Sequence, residues 1–309
     1  MDVIDTIIIG AGPAGLTAAL YLARYEKNVL VLSEDIGGQA ATSGEIGNYP
    51  GFEMISGTDL SSKMMEQLKS YDNIEIKFPF KVSGVTKAGD EFEVKSGDEI
   101  FKSKTVLITA GKRHRHLGLQ NEESLVGKGL SYCATCDGPF AKGKDTVVIG
   151  GGNSAADAAM ILSKIARKIT IINLNDKMAA EQVRLDKISK DEKIEIINNA
   201  KTSDIESENG LIKSVVYKDT NGDDHNVAAQ MVFVEIGYIP NTENFKDVVE
   251  INRMGEIVVD KDNLTKTEGL YAAGDITDVI HKQVIIACGE GAKAAMSINS
   301  ALEKSITLS

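Results

Sequence analysis

Tryptophan is missing from this chain of 309 residues, cysteine occurs only three times, and basic residues are outnumbered by acidic ones, 34 to 45. Each shortage excludes something. Three cysteines cannot supply a four-thiolate zinc site from one chain, and no metal site is expected. A net charge of −11 leaves no basic stripe to neutralise phosphates, so nucleic acid is not an expected partner, and anionic membrane surfaces are disfavoured. Unbroken apolar runs are lacking too. The stretch from Ile7 to Leu22 is interrupted by Gly10, Gly12, Pro13 and Gly15, and Met1-Asp2-Val3-Ile4-Asp5 carries no positive charge. Neither a signal peptide nor a membrane span is therefore expected. The cytoplasm is the expected location, where thiols stay reduced and a close cysteine pair is read as catalytic rather than structural.

Such a pair is present. Cys133-Ala134-Thr135-Cys136 places two thiols two residues apart, followed by Asp137. This spacing can close a disulfide across a tight turn or share a metal. Its context favours redox chemistry, because it lies between two Gly-rich turns of dinucleotide-binding type. The first follows the β-branched run Asp5-Thr6-Ile7-Ile8-Ile9 as Gly10-Ala11-Gly12-Pro13-Ala14-Gly15. A helical pattern to about Tyr25 comes next, then the strand Asn28 to Leu32, then Glu34. Strand, glycines, helix, strand and acid form the full dinucleotide fingerprint, with the phosphates facing the helix start and the acid facing the ribose. The second unit runs from Thr146-Val147-Val148-Ile149 through Gly150-Gly151-Gly152-Asn153-Ser154-Ala155 to a helix and the strand Lys168 to Ile172. Here Ala155 replaces the third glycine, which the fingerprint allows.

Polar and apolar residues alternate with Gly turns over Glu75 to Val106 and again over Ile194 to Phe233, giving each nucleotide unit its own antiparallel insertion. Strands ending in small residues follow at Val106 to Gly111, Val232 to Gly237 and Gly269 to Asp275, and a final helix is expected from about Gln283 to Leu302. No low-complexity linker is present, so the chain is expected to cross between domains near Lys112 to Leu117 and Pro240 to Phe245. The expected class is α/β.

Eight motifs occur in one order: Gly10 to Gly15, Gly37-Gly38-Gln39, Asn48-Tyr49-Pro50-Gly51, Ala110-Gly111, Cys133 to Gly138, Gly150 to Ala155, Gly237 to Thr242, and Gly274-Asp275-Ile276. Together they resemble the low-molecular-weight thioredoxin reductases and the reductase half of bacterial alkyl hydroperoxide reductase flavoproteins, over nearly the whole chain. The resemblance implies two Rossmann-like domains of three layers (ββα), the second inserted in the first. Residues 1–115 and 243–309 would bind FAD; residues 116–242 would form the pyridine-nucleotide domain carrying the cysteines. It implies a homodimer with a rotating central domain, reducing thioredoxin or a glutaredoxin-like protein. Cys136 would be the thiol nearer the flavin, Cys133 the one that attacks the partner, and Asp137 the acid/base, a role compatible with helix capping. The implied FAD residues are Gly10, Gly12, Pro13, Ala14, Gly15, Glu34, Gly38, Gln39, Asn48, Ala110, Gly111, Gly274, Asp275, Gln283 and Val284. The implied nicotinamide nucleotide residues are Gly150, Gly152, Asn153, Ser154, Ala155, Asn173 and Gly237.

One stretch departs from the family. NADPH-using members carry His-Arg-Arg-Asp-x-Phe-Arg-Ala where this chain reads Asn173-Leu174-Asn175-Asp176-Lys177-Met178-Ala179-Ala180. The arginines that would clamp a 2′-phosphate are missing. Losing contacts worth roughly 1.5–3 kcal/mol each points away from NADPH, and the stretches Lys282 to Ala287, Gly289-Glu290-Gly291 and Asn252 to Glu256 resemble the peroxide-reductase branch, which implies NADH. No acid stands at position 173 to take a free 2′-hydroxyl, though Asn173 or Asn175 could do so as neutral partners. A flavin reduced by ferredoxin or a deazaflavin is the enzymatic alternative, and a non-catalytic flavin redox sensor the non-enzymatic one. Arg113-His114-Arg115-His116 reads as a solvated hinge, Cys288 as a buried apolar residue, and His225 as a surface residue.

Overall fold

The computed structural model describes residues 4–43 and 46–308. Met1, Asp2 and Val3, part of the segment read for a leader, lie outside the described residues. The chain divides into two compact units, one comprising the residues up to Arg113 and from Ile239 onward, the other His114–Tyr238. The divisions fall a few residues ahead of the expected crossings at 115/116 and 242/243. Among the described residues, no helix is long and apolar enough to cross a membrane.

In the first unit a parallel sheet runs in the order Ile74–Lys77, Val29–Ile36, Ile4–Ala11, Glu99–Ile108, with Leu270–Ala272 paired to the far side of Glu99–Ile108. Ile4–Ala11 is a central strand, so both its faces must be covered, and its unbroken β-branched run satisfies that need. Side chains alternate across the sheet. Ile8 joins Leu16, Leu22, Ala294 and Ile298 of the helices Pro13–Arg24 and Val284–Leu308 on one face. Ile7 and Ile9 join Phe92, Val94 and Val106 on the other. The second face is covered by an antiparallel meander, Val82–Ala88, Glu91–Ser96 and the start of Glu99–Ile108. The result is the three-layer ββα order. Ile7 and Ile8 are fully buried, and burying each contributes roughly 1.5–3 kcal/mol. The last helix starts at Val284, with the Ala287 amide donating to the Gln283 carbonyl, and runs past the expected Leu302.

The second unit repeats the plan. Its parallel sheet has the order Ile194–Ile197, Lys168–Ile172, Asp145–Ile149, Met231–Val234, Leu130–Ser131. Val148, Ile169 and Ile171 pack against Ala155, Ala159 and Leu162 of the helix Asn153–Leu162. Val147, Ile149 and Ile172 face Ile205, Ile212 and Val215 of a three-stranded antiparallel sheet, Lys201–Glu208, Leu211–Lys218 and Asp224–Ala228. In both units the Gly-rich turn lies at the carboxyl end of a central parallel strand, where open α/β sheets bind their ligands.

Candidate active site

The first Gly-rich turn is held by Thr109, whose hydroxyl lies 3.0 Å from the Ile9 carbonyl and 2.9 Å from that of Gly10. A Cβ on Gly15 would stand 1.9 Å from the Gly10 carbonyl oxygen, so the helix packs this closely only with glycine there. Gly12 is different. Among the described residues, nothing lies within 4 Å of where its Cβ would be, and it caps the helix Pro13–Arg24 without a side-chain hydrogen bond. That leaves an open cradle in front of a helix start, which fits a pyrophosphate. Ala14 is buried behind it, and Glu34 is exposed at the end of the neighbouring strand, 3.4 Å from Lys81 Nζ.

Four more expected residues of this unit share two networks. In the first, Gln39 Nε2 donates to the Lys112 carbonyl, while Lys112 Nζ lies 3.5 Å from Asp275 Oδ2 in the short turn Gly274–Ile276. Lys282 Nζ reaches the Asp275 carbonyl at 3.3 Å and Glu256 Oε1 at 3.0 Å. Burial raises the Asp275 carboxyl above its ordinary value, against the pull of Lys112 and Lys282. Burial likewise lowers the Lys112 ammonium despite Asp275. Both shifts favour the neutral forms, as desolvation requires. In the second network, Asn48 Nδ2 donates to Gln283 Oε1 at 3.0 Å, next to Val284. Gly38 takes a hold from Asp35, its amide donating to Oδ1 at 3.0 Å. Asn241 ties down Ala110 and Gly111, donating from Nδ2 and from its amide to their carbonyls. Lys112 and Glu256 were not legible as site residues, since each acquires its place through partners distant in sequence.

Cys133 and Cys136 are joined as a disulfide, with Cα atoms 5.3 Å apart. Cys133 caps the one-turn helix Ala134–Asp137, its Sγ accepting the Cys136 amide at 3.1 Å. Both cysteines are half-buried. The buried Ser131 ends the strand Leu130–Ser131. Its hydroxyl donates to Asp137 Oδ2 at 2.7 Å and accepts the Cys133 amide at 3.0 Å. The Ala134 amide reaches Glu235 Oε1 at 3.4 Å. Tyr132, just ahead of the pair, donates to the buried Glu122 at 2.6 Å, and Glu122 also takes the amides of Leu117, Gly118 and Leu119. Ser131 and Tyr132 could have been found from their places two and one residues before Cys133.

At the second turn, Gly152 also caps its helix without a side chain and has open space at the Cβ position. Asn153 and Ser154 lie on the accessible side of the helix start, and Ala155 is buried. Gly151 is constrained, since a Cβ there would stand 2.0 Å from Asn173 Oδ1. Asn173 itself is 1% exposed, with Nδ2 donating to Asn198 Oδ1 at 2.8 Å and to the Asn175 carbonyl at 3.1 Å. Leu174, Asn175 and Ala179 are exposed, and Gly237 takes a φ of 100°.

In the Arg113–His116 stretch Arg113, Arg115 and His116 are exposed, as a solvated segment would be, and His114 is half-buried. Arg113 bonds Asn241 Oδ1 at 2.7 Å and Glu243 Oε1 at 2.6 Å in its own unit. His114 stacks on Tyr132 at 4.7 Å and lies 4.6 Å from Tyr238, ring to ring, in the other. Cys288 is buried, 3.8 Å from the Tyr49 hydroxyl. Burial, then Cys288, push the Tyr49 hydroxyl up to about 12. His225 pairs with Asp219 on the surface.

Residues 4–291 match the family described as pyridine nucleotide-disulphide oxidoreductase. A thioredoxin reductase of Bacillus subtilis is 37% identical, over 97% of this chain and 95% of its own. An alkyl hydroperoxide reductase component of Staphylococcus aureus is 36% identical, over 95% of this chain and 58% of its own length. The crystal structure of thioredoxin reductase from Streptococcus pyogenes superposes with a TM-score of 0.89 at 34% identity, covering 98% of this chain and 99% of the other.

Proposed function

This chain belongs to the pyridine nucleotide-disulphide oxidoreductase family, and on that premise we propose that it is a FAD-dependent thioredoxin-disulfide reductase, taking electrons from NADH. Electrons leave through Cys133 and Cys136 to thioredoxin or a glutaredoxin-like protein, from a cytoplasmic homodimer. The observation that carries this is the Cys133–Cys136 disulfide, half-buried at a helix start with the Asp137 carboxyl on the same turn. The relatives named thioredoxin reductase support it.

Bound FAD supplies a carrier that can hand an electron pair to a disulfide. In the first unit, Gly10, Gly12, Pro13, Ala14 and Gly15 would cradle its pyrophosphate and Glu34 its ribose. Ala110, Gly111, Gly274 and Asp275 would line its ribityl chain, and Gly38, Gln39, Asn48, Gln283 and Val284 its ring. The thiols carry out the exit step. The Cys133 thiolate attacks one sulfur of the partner's disulfide, forming a mixed disulfide and releasing a partner thiolate, which takes a proton. Cys136, as thiolate, then attacks Cys133 Sγ, expelling the second partner thiolate and re-forming the Cys133–Cys136 bond. Asp137 holds or gives the proton that each sulfur gains or loses on opening and closing.

NADH is favoured over NADPH because Leu174, Asn175 and Ala179 offer no cation to a 2′-phosphate. Anaerobic titration of the purified holoprotein tests this. Flavin bleaching at low NADH, with NADPH far weaker, is expected. One observation favours a second reading: the Asn173 amide is buried and already bonded, so it offers little to a ribose hydroxyl. Bleaching by neither nucleotide would replace NADH with a donor such as ferredoxin or a deazaflavin.

A further inference from the structure

We propose that Ser131 is a positioning residue for the dithiol chemistry, fixing the Asp137 carboxyl where it exchanges a proton with the cysteine pair; this rests on the disulfide-reductase reading above. The hydroxyl stands between the two groups that matter. Its oxygen accepts the Cys133 amide at 3.0 Å, which occupies a lone pair and directs the hydroxyl hydrogen away from that amide. The hydrogen has two acceptors within range, Asp137 Oδ2 at 2.7 Å and the Cys133 carbonyl at 3.4 Å, and the shorter contact is to the carboxylate. The other carboxylate oxygen, Oδ1, is buried and has no hydrogen-bond partner among the described residues. A carboxylate with one oxygen buried and unpartnered depends on its remaining contact for orientation. Ser131 is itself 3% exposed, so solvent does not replace it easily.

The geometry also ties this contact to the redox state of the pair. Cys133 presents its amide to Ser131, its carbonyl to the Asp137 amide at 3.0 Å, and its Sγ to the Cys136 amide at 3.1 Å. When the disulfide takes up an electron pair, which a bound flavin would supply, the S–S bond breaks and two thiolates form. One takes a proton, for which Asp137 is the adjacent acid. On reoxidation by the partner's disulfide the electron pair leaves with the partner's sulfurs, and the proton returns through the same carboxyl. Ser131 touches no reacting sulfur. It acts by holding Asp137 and the Cys133 backbone in one rigid unit.

The experiment uses the full FAD-loaded chain and a thioredoxin, comparing Ser131→Thr with Ser131→Val, which are matched in size and differ by the hydroxyl. The expected result is near-normal kcat for Ser131→Thr. Ser131→Val should lose roughly ten- to hundredfold in kcat with KM for thioredoxin unchanged. In an Asp137→Asn background the same Ser131→Val change should cost less than about twofold, because the carboxylate it positions is gone. Equal activity of the Thr and Val variants, or an undiminished Val effect in the Asp137→Asn background, would overturn the proposal. Failure of the wild-type chain to reduce thioredoxin would instead remove the reading on which it rests.

Discussion

The Tyr132 hydroxyl donates to Glu122 Oε1 at 2.6 Å, and this pair anchors the residue immediately before Cys133 to the loop Leu117–Leu119. Burial opposes ionisation of Glu122, but its hydrogen bonds from Tyr132, Leu117, Gly118 and Leu119 outweigh that and hold the carboxyl below its ordinary value of 4.5. Burial and the same contact raise the Tyr132 hydroxyl, keeping it a donor.

A pH dependence follows with a definite sign. A carboxyl depressed in the folded state contributes stability that is present above its unfolded value and lost as pH falls through its folded value. Glu122→Gln keeps the shape and loses the charge. It should lower stability at pH 7 by about 1–3 kcal/mol. The gap to wild type should narrow as pH falls below about 4.5. Urea unfolding of both proteins at several pH values measures it; a gap that stays constant into acid would show that the charge is not what stabilises the network.

Glycines of the first turn should respond in opposite ways. Gly15→Ala places a Cβ 1.9 Å from the Gly10 carbonyl oxygen, and backbone must shift. A loss of about 1–3 kcal/mol, with poor soluble yield, is expected. At Gly12 an added Cβ would meet nothing within 4 Å among the described residues, so Gly12→Val directs its methyl groups into open space in front of the helix. It should fold with a normal circular-dichroism spectrum and be purified without yellow colour, because the cradle is filled. Retention of a full flavin complement by Gly12→Val would argue that the pyrophosphate lies elsewhere.

Much of this is legible in the sequence because two periodicities are strong. The runs Ile7-Ile8-Ile9 and Val147-Val148-Ile149 sit in central strands, so both faces demand apolar residues and no surface requirement blurs the signal. The Gly-rich turns and the cysteine spacing are local, and local geometry is what a motif records. Contacts such as Lys112 with Asp275, or His114 with Tyr132 and Tyr238, are not legible. They join residues brought together only by the sheets, and the side chains involved carry no pattern. At Arg113–His116 the exposure of Arg113, Arg115 and His116 follows from their charge, whereas the aromatic partners of His114 leave no mark in the sequence.

The departure at residues 173–180 can be reversed. Leu174, Asn175 and Ala179 are exposed, so arginines there need displace no core. The triple change Leu174→Arg/Asn175→Arg/Ala179→Arg should lower the half-saturating NADPH concentration at least about tenfold, each exposed contact contributing roughly 0.5–1 kcal/mol. NADH should change little, since it lacks the 2′-phosphate. Steady-state kinetics with both nucleotides distinguishes this from a general electrostatic effect, which would improve the two alike.

Counting electrons addresses the relay itself. Anaerobic reductive titration of the FAD-loaded wild-type chain should consume about four electrons per chain, a pair for the flavin and a pair for the disulfide, whereas Cys133→Ser and Cys136→Ser should each consume about two and lose thioredoxin reduction. Wild type consuming only about two, or either serine variant still reducing thioredoxin at the wild-type rate, would contradict Cys133 and Cys136 as the exit relay.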